Sequence, residues 1–321
     1  MLTAFVVGGL LYLPFILYEI KMSPTLHYDI YGFQAQQDFT TTRRMGGWRP
    51  QVFMQHGLAV ALFMTVAWVS ALGLWCWSGV GKLFGAPISL CCAMLFGAAI
   101  MCRSAYAIAL MLLAGTMLAI ARVKPSHRVA LVLGLVPVAY VSLRTVGGWD
   151  GSALIRLSAQ VFGPERTASL VYRMESESNL WTIAQTRPVF GYGRWIWPNR
   201  LPDGSVMVPD GLWIIALGRN GLVGLAATTL MLVLPGWRLV HHLRRVDARV
   251  PGVGVWITVV LIPALYAMDN LLNAMANPLF MLASGAIAGF AMPALTGRAD
   301  IGPVASSVAK PPAPQGPEVA A

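Results

Sequence analysis

Nine arginines crowd two polar stretches of the chain: Arg43, Arg44 and Arg49 in residues 19–55, and Arg156, Arg166, Arg173, Arg187, Arg194 and Arg200 in residues 147–210. A guanidinium stays charged at every physiological pH and offers its N–H groups as a fixed fork that matches phosphate or carboxylate oxygens. The stretch RPVFGYGRWIWPNR places Gly191 and Gly193, which allow sharp turns and close backbone approach, between Arg187 and Arg194 and next to Trp195 and Trp197. Arginine donors beside indoles suit a phosphate joined to a sugar or a lipid, and tryptophans at a membrane boundary also serve as interfacial anchors. Just upstream, Gly163-Pro164-Glu165 opens a helix that must end before Arg187-Pro188, with Leu170, Val171, Met174 and Trp181 on one face and Arg166, Arg173 and Glu177 on another. Two roles fit it. Its arginines cover a cavity and point at a ligand or at lipid headgroups, or they form a solvated face on which Arg173 pairs with Glu177.

One carboxylate joins the arginines. Asp210, in Pro209-Asp210-Gly211, stands where the second polar stretch enters an apolar helix, so it can cap that helix or act as a general base. Beside an arginine cluster it is expected to keep a low pKa, which favours orienting an acceptor hydroxyl over strong basicity. Arg219 follows about 13 Å along the same helix at 1.5 Å per residue. Arg103 stands alone between two apolar runs. Both are expected to face the bundle interior or a wet cavity, or else to snorkel to the interface.

Such residues need a scaffold, and the composition says which. Of 321 residues, 57% are hydrophobic and 11% charged, with a mean hydropathy of +0.64, which excludes an ordinary soluble domain. Apolar runs fall at about 2–18, 56–77, 84–101, 104–121, 129–146, 211–235, 252–269 and 277–294. In lipid the backbone must satisfy its own hydrogen bonds, so these runs are helices, and the fold class is all-α: a polytopic transmembrane bundle of about eight spans with a large, partly helical outward loop. Residues 84–121 also read as one re-entrant element. The run from Leu2 to Tyr18 lacks the basic flank and small-residue cleavage site of a signal peptide and is expected to stay in the membrane. Cys76, Cys91, Cys92 and Cys102 lie in or beside apolar runs without metal-ligand spacing and read as core residues.

The short loops set the orientation. With the N-terminus inside, they bring Lys82, then Arg122, Lys124 and Arg128, then Arg238, Arg244, Arg245 and Arg249, then Arg298 to the cytoplasm. The segments 19–55 and 147–210 then face outward, with a short turn near Asp269–Ala276. Residues 1–296 form the membrane domain, and residues 297–321, rich in Pro, Ala, Val and Ser, read as a disordered cytoplasmic tail. The net charge of +10 is spent on this topology and on the outward arginines, and nucleic acid is not an expected partner.

In order, RRMGGWRPQVFMQHG, CRSAYAIAL, an outward arginine helix, RPVFGYG and DGLWIIALGRNGLVGL resemble the O-antigen ligase and O-antigen polymerase superfamily over most of residues 1–296. That resemblance implies a multi-span transferase of the bacterial inner (cytoplasmic) membrane, with both termini cytoplasmic. It would join an undecaprenyl-diphosphate-linked glycan to a glycan, lipid A-like or protein acceptor, among membrane lipids, without metal ion, nucleotide sugar or other cofactor. It implies a diphosphate clamp, for which Arg44, Arg49, Arg103, Arg173, Arg187, Arg194 and Arg219 are the candidates. The family shows a histidine ahead of its Gly-x-x-Gly-Leu helix where this chain has Asp210-Gly211, so Asp210 is the candidate catalytic base. The chain also begins almost directly in a helix, so it reads as a shortened member or a fragment of a longer reading frame. The alternatives are a glycan or lipid permease and a non-catalytic member of an envelope-polysaccharide complex.

Overall fold

The computed structural model describes residues 1–35, 39–123, 128–161, 163–193, 207–243 and 251–295. Nearly all regular structure among them is helical: α1 (Leu2–Met22), α2 (Leu26–Tyr31), α3 (Gly57–Trp77), α4 (Ile88–Met101), α5 (Ala105–Val123), α6 (Arg128–Thr145), α7 (Ser152–Val161), α8 (Pro164–Ala184), α9 (Leu212–Leu243), α10 (Pro251–Leu272) and α11 (Pro278–Leu295). Two small antiparallel ribbons complete it, β1 (Arg43–Arg44) with β2 (Gly47–Trp48), and β3 (Lys82–Leu83) with β4 (Ala86–Pro87). α1, α3, α5, α9 and α10 are long and apolar enough to cross a membrane, and residues 88–101, 132–145 and 278–289 form shorter apolar helices.

The helices fold on α3 and α10, whose apolar windows are each 83% buried. Small residues let these two approach closely: a Cβ added at Gly73 would collide with Thr258, and one at Gly254 with Trp77. The same pairs show that the helices run antiparallel. One core joins α1, α3, α4, α5, α10 and α11, with Phe5, Tyr266 and Phe280 stacked within it. A second, smaller core lies under α8, where Met174 and Leu180 meet Tyr140 of α6 and Trp213, Ile214 and Leu217 of α9.

Residues 84–121 are the two helices expected rather than one re-entrant element, broken at Cys102–Ser104 with Arg103 at φ +52°, and Phe84 and Gly85 form the tip of the β3–β4 ribbon ahead of α4. Two elements depart from the sequence reading. Asp269 and Asn270, expected in an outward turn, are the last turns of α10 and are each 2% exposed. α9 is not continuous: Gly221 breaks it at φ +64° and ψ −161°. The break is filled by the glycine-rich stretch. Tyr192 and Gly193 donate their N–H groups to the carbonyls of Gly218 and Arg219 (2.9 and 2.8 Å), and Leu222 and Val223 donate to those of Pro188 and Val189 (2.7 and 3.3 Å). Orphaned backbone groups on both sides of the break thus find partners, and Gly191 and Gly193, at φ +70° and +79°, supply the turns.

Candidate functional site

Arg173 is the hub of the site. Pro164, at the first helical position after Gly163, starts α8, and burial of Met174 and Leu180 fixes which way the helix faces. A buried ion pair holds it down. Arg144, at the end of α6, lies 3.4 Å from Glu177 and donates to the carbonyls of Trp149 (2.9 Å) and Met174 (3.0 Å). Glu177 also accepts from Tyr140 (2.8 Å) and from the Trp213 indole (3.2 Å). Burial pushes the Glu177 carboxyl above its ordinary value, against the opposing pull of Tyr140, Arg144 and Trp213.

The expected Arg173–Glu177 pair is therefore replaced by two others, because Glu177 turns into the smaller core. Arg173 instead crosses to α9 and α10. Its Nε lies 3.2 Å from Asp210 Oδ2, the two side chains being 26% and 27% exposed, and its Nη1 donates to the Leu272 carbonyl (2.9 Å) and to Asn273 Oδ1 (3.0 Å). Asp210 does not supply the first helical carbonyl of α9; Gly211 does, accepting from Ile215 N. Nor is its pKa low. Desolvation raises the Asp210 carboxyl above its ordinary value despite the nearby Arg173, which makes it a stronger base than the sequence suggested.

The first polar stretch arrives from the other side. Glu19, fully buried at the end of α1, accepts from the backbone N–H groups of Gln51 and Val52 (2.7 Å each) and of Leu26 (3.2 Å), fixing the chain just after Arg49. Arg49 is 9% exposed and donates to the Arg103 carbonyl at 3.3 Å. Arg103 Nη1 donates to the carbonyls of Arg44 (3.2 Å) and Met45 (2.6 Å), and its guanidinium packs where a Cβ at Gly47 would stand. Arg103 thus staples the β1–β2 turn in place.

His56 joins the two sides. Its Nδ1 accepts from Leu58 N at 3.0 Å and caps α3, and Arg49, Arg173 and Arg44 all act on its charge. Burial, reinforced by these three arginines, lowers its pKa to about 4. A neutral ring that accepts at Nδ1 carries its proton on Nε2, so His56 offers a hydrogen-bond donor and no base. Arg44, Arg49, Arg103, Arg173, His56 and Asp210 consequently occupy one end of the bundle.

The remaining candidates lie elsewhere. Arg187 is exposed and stacks on Tyr192, 4.9 Å from the ring centroid, and Arg219 is exposed at the break in α9. Beyond the break, residues 222–243 make about 33 Å of helix, long enough to cross a bilayer without the turn that carries Arg219. Arg194, Trp195, Trp197, Arg200, the residues 244–250 and the tail fall outside the described residues, as does the side chain of Arg166.

Sequence reasoning passed over Glu19, His56, Arg144, Glu177 as an Arg144 partner, Asp269 and Asn273. A signal existed for three of them. Glu19, Arg144 and Asp269 are charges at the ends of apolar runs, the same argument that singled out Arg103 and Arg219.

Apolar helices of this length, closed at one end by buried and half-buried charges, define a membrane-embedded helical protein. No narrower class comes from known proteins: comparison with protein-family models, with curated proteins and with solved structures finds no match to the chain.

Proposed function

We propose that the protein is a membrane glycosyltransferase that joins a polyprenyl-diphosphate-linked glycan to an acceptor hydroxyl in cell-envelope polysaccharide synthesis. It crosses the bacterial inner membrane eight times, with both termini cytoplasmic and the arginine end outside. The observation that carries this reading is the 3.2 Å approach of Arg173 to Asp210 in a half-buried cluster that also holds Arg44, Arg49 and His56. Cationic forks and a raised carboxylate are what glycosyl transfer from a diphosphate requires. The acceptor oxygen attacks the anomeric carbon while its proton passes to Asp210. The bond from that carbon to the diphosphate oxygen breaks, and the electron pair leaves on the diphosphate. Arg173, with Arg44 and Arg49 behind it, stabilises the charge that develops there.

A permease calls for paired broken helices and an ionisable residue at the bilayer centre. Among the described residues α9 carries a single break of this kind, and Asp269 stands within one turn of the end of α10. A scaffold has no need of converging arginines. The test is transfer in membranes supplied with a polyprenyl-diphosphate glycan, with insertion checked in parallel. Asp210→Ala and Arg173→Ala are each expected to lower the rate by about 100-fold or more; wild-type rates in both variants would remove the site from the reaction.

A further inference from the structure

Arg173 is held from two directions, and only one of its partners is a charge. Asp210 takes Nε from the α9 side. From the α10 side, Nη1 meets two neutral acceptors, the Leu272 carbonyl and Asn273 Oδ1, at 2.9 and 3.0 Å. Asn273 is itself fixed. It is 2% exposed, its Nδ2 donates to Asp269 Oδ1 at 3.0 Å, and its backbone N–H donates to the Asp269 carbonyl at 3.0 Å. The Asp269 side chain is equally buried, and its Oδ2 accepts no hydrogen bond among the described residues, so the carboxyl's hydrogen bond is spent on Asn273. Nothing in lipid rewards a buried carboxylate and carboxamide at a helix end unless they hold something in place.

We infer that Asp269 and Asn273 are positioning residues for Arg173. By holding Nη1 they keep the guanidinium plane fixed while its Nε–Nη2 edge exchanges Asp210 for the oxygens of a diphosphate. The inference deepens the transferase reading and rests on it for the identity of that anion. A guanidinium tied only to Asp210 would swing away when the carboxylate was displaced, and a misplacement of about 1 Å at a reacting centre is enough to cost about 100-fold in rate. With the brace, Asp210 is released next to the bound diphosphate with Arg173 still aligned. Loss of the Arg173 charge to the diphosphate then leaves Asp210 more basic when the acceptor arrives.

Two measurements on the full-length protein in nanodiscs test this. In the first, inorganic diphosphate is titrated calorimetrically. Asn273→Ala and Asp269→Leu are expected to bind about tenfold more weakly than wild type, in the range seen when a supporting shell is removed. Asp269→Asn, which keeps an acceptor for Asn273 Nδ2, is expected to bind as wild type. In an Arg173→Ala background, Asn273→Ala is expected to cause no further loss. Equal binding by Asn273→Ala, or a further loss in the Arg173→Ala background, overturns the inference. The second measurement needs no ligand: phenylglyoxal modification of Arg173, read by peptide mass spectrometry, should be several-fold faster in Asn273→Ala than in wild type. An unchanged rate overturns the brace even if diphosphate binds nowhere, whereas absent wild-type binding with a raised rate overturns only the transferase reading.

Discussion

His56 shows how one side chain can report on the whole charged end. Its Nδ1 is committed to the α3 cap, and Arg49, Arg173 and Arg44 oppose its protonation. An unfolded histidine takes up a proton near pH 6.5, whereas the folded ring does so only near pH 4. Between these values the unfolded state binds more protons, so stability rises with pH across the window and falls as pH drops from 6.5 towards 4. Thermal unfolding in detergent should therefore show a loss of about 3 kcal/mol over that range that is absent in His56→Asn, which retains an N-capping side chain. Equal pH slopes for the two proteins would mean that His56 is neither buried nor held beside the arginines. The arginines and Asp210 could be found from sequence because guanidinium and carboxylate chemistry is written in residue type. Their pairing could not. Whether Arg173 meets Glu177 four residues on or Asp210 thirty-seven residues on depends on which face of α8 the smaller core buries, and the residues that decide this, Tyr140 and Trp213, come from other helices.

Helices were legible where a single period runs unbroken. The starts and stops of α3, α5 and α8 follow the apolar pattern, Gly163-Pro164, and the polar breaks within a few residues. α9 was misread because its hydrophobicity continues through Gly221, and only a partner 30 residues upstream makes the break possible. Gly221 sits at a φ that side chains rarely adopt, and a Cβ there would collide with the Val189 carbonyl. Gly221→Ala should accordingly destabilise the fold by about 1–3 kcal/mol or more, detected as a lower midpoint of thermal unfolding in detergent. A wild-type midpoint would mean that α9 can run straight and that the 187–193 stretch is not needed to satisfy its backbone. Gly97→Ala, in α4, is a useful contrast, because an added Cβ meets open space there and no positive φ is required.

At the scale of the molecule, the polar residues sort to two ends. Hydrogen bonds tie the end of α1 to residues 51–52, the α4–α5 break to Arg44, Met45 and Arg49, Gln55 to Ala276, and α8 to the ends of α6 and α10. These contacts place the start of α3, the start of α5, and the ends of α1, α4, α6 and α10 together. Eight antiparallel passages would produce that parity, and the β3–β4 ribbon with Lys82 then lies at the opposite end. Length and composition qualify α1, α3, α5, α9 and α10 as spans, and the passage and orientation of α3 can be tested directly. Single cysteines replacing Met45 and Phe84, 57% and 84% exposed, sit at the two ends of α3 and are read against a background in which the four native cysteines are replaced. On the proposed topology, a membrane-impermeant maleimide should label Met45→Cys from outside and Phe84→Cys only after the membrane is opened. The reverse pattern would put the arginine cluster in the cytoplasm, where an outward-facing lipid-linked glycan could not reach it. Labelling of both from outside would mean that α3 does not cross, although it is the most apolar of the qualifying helices.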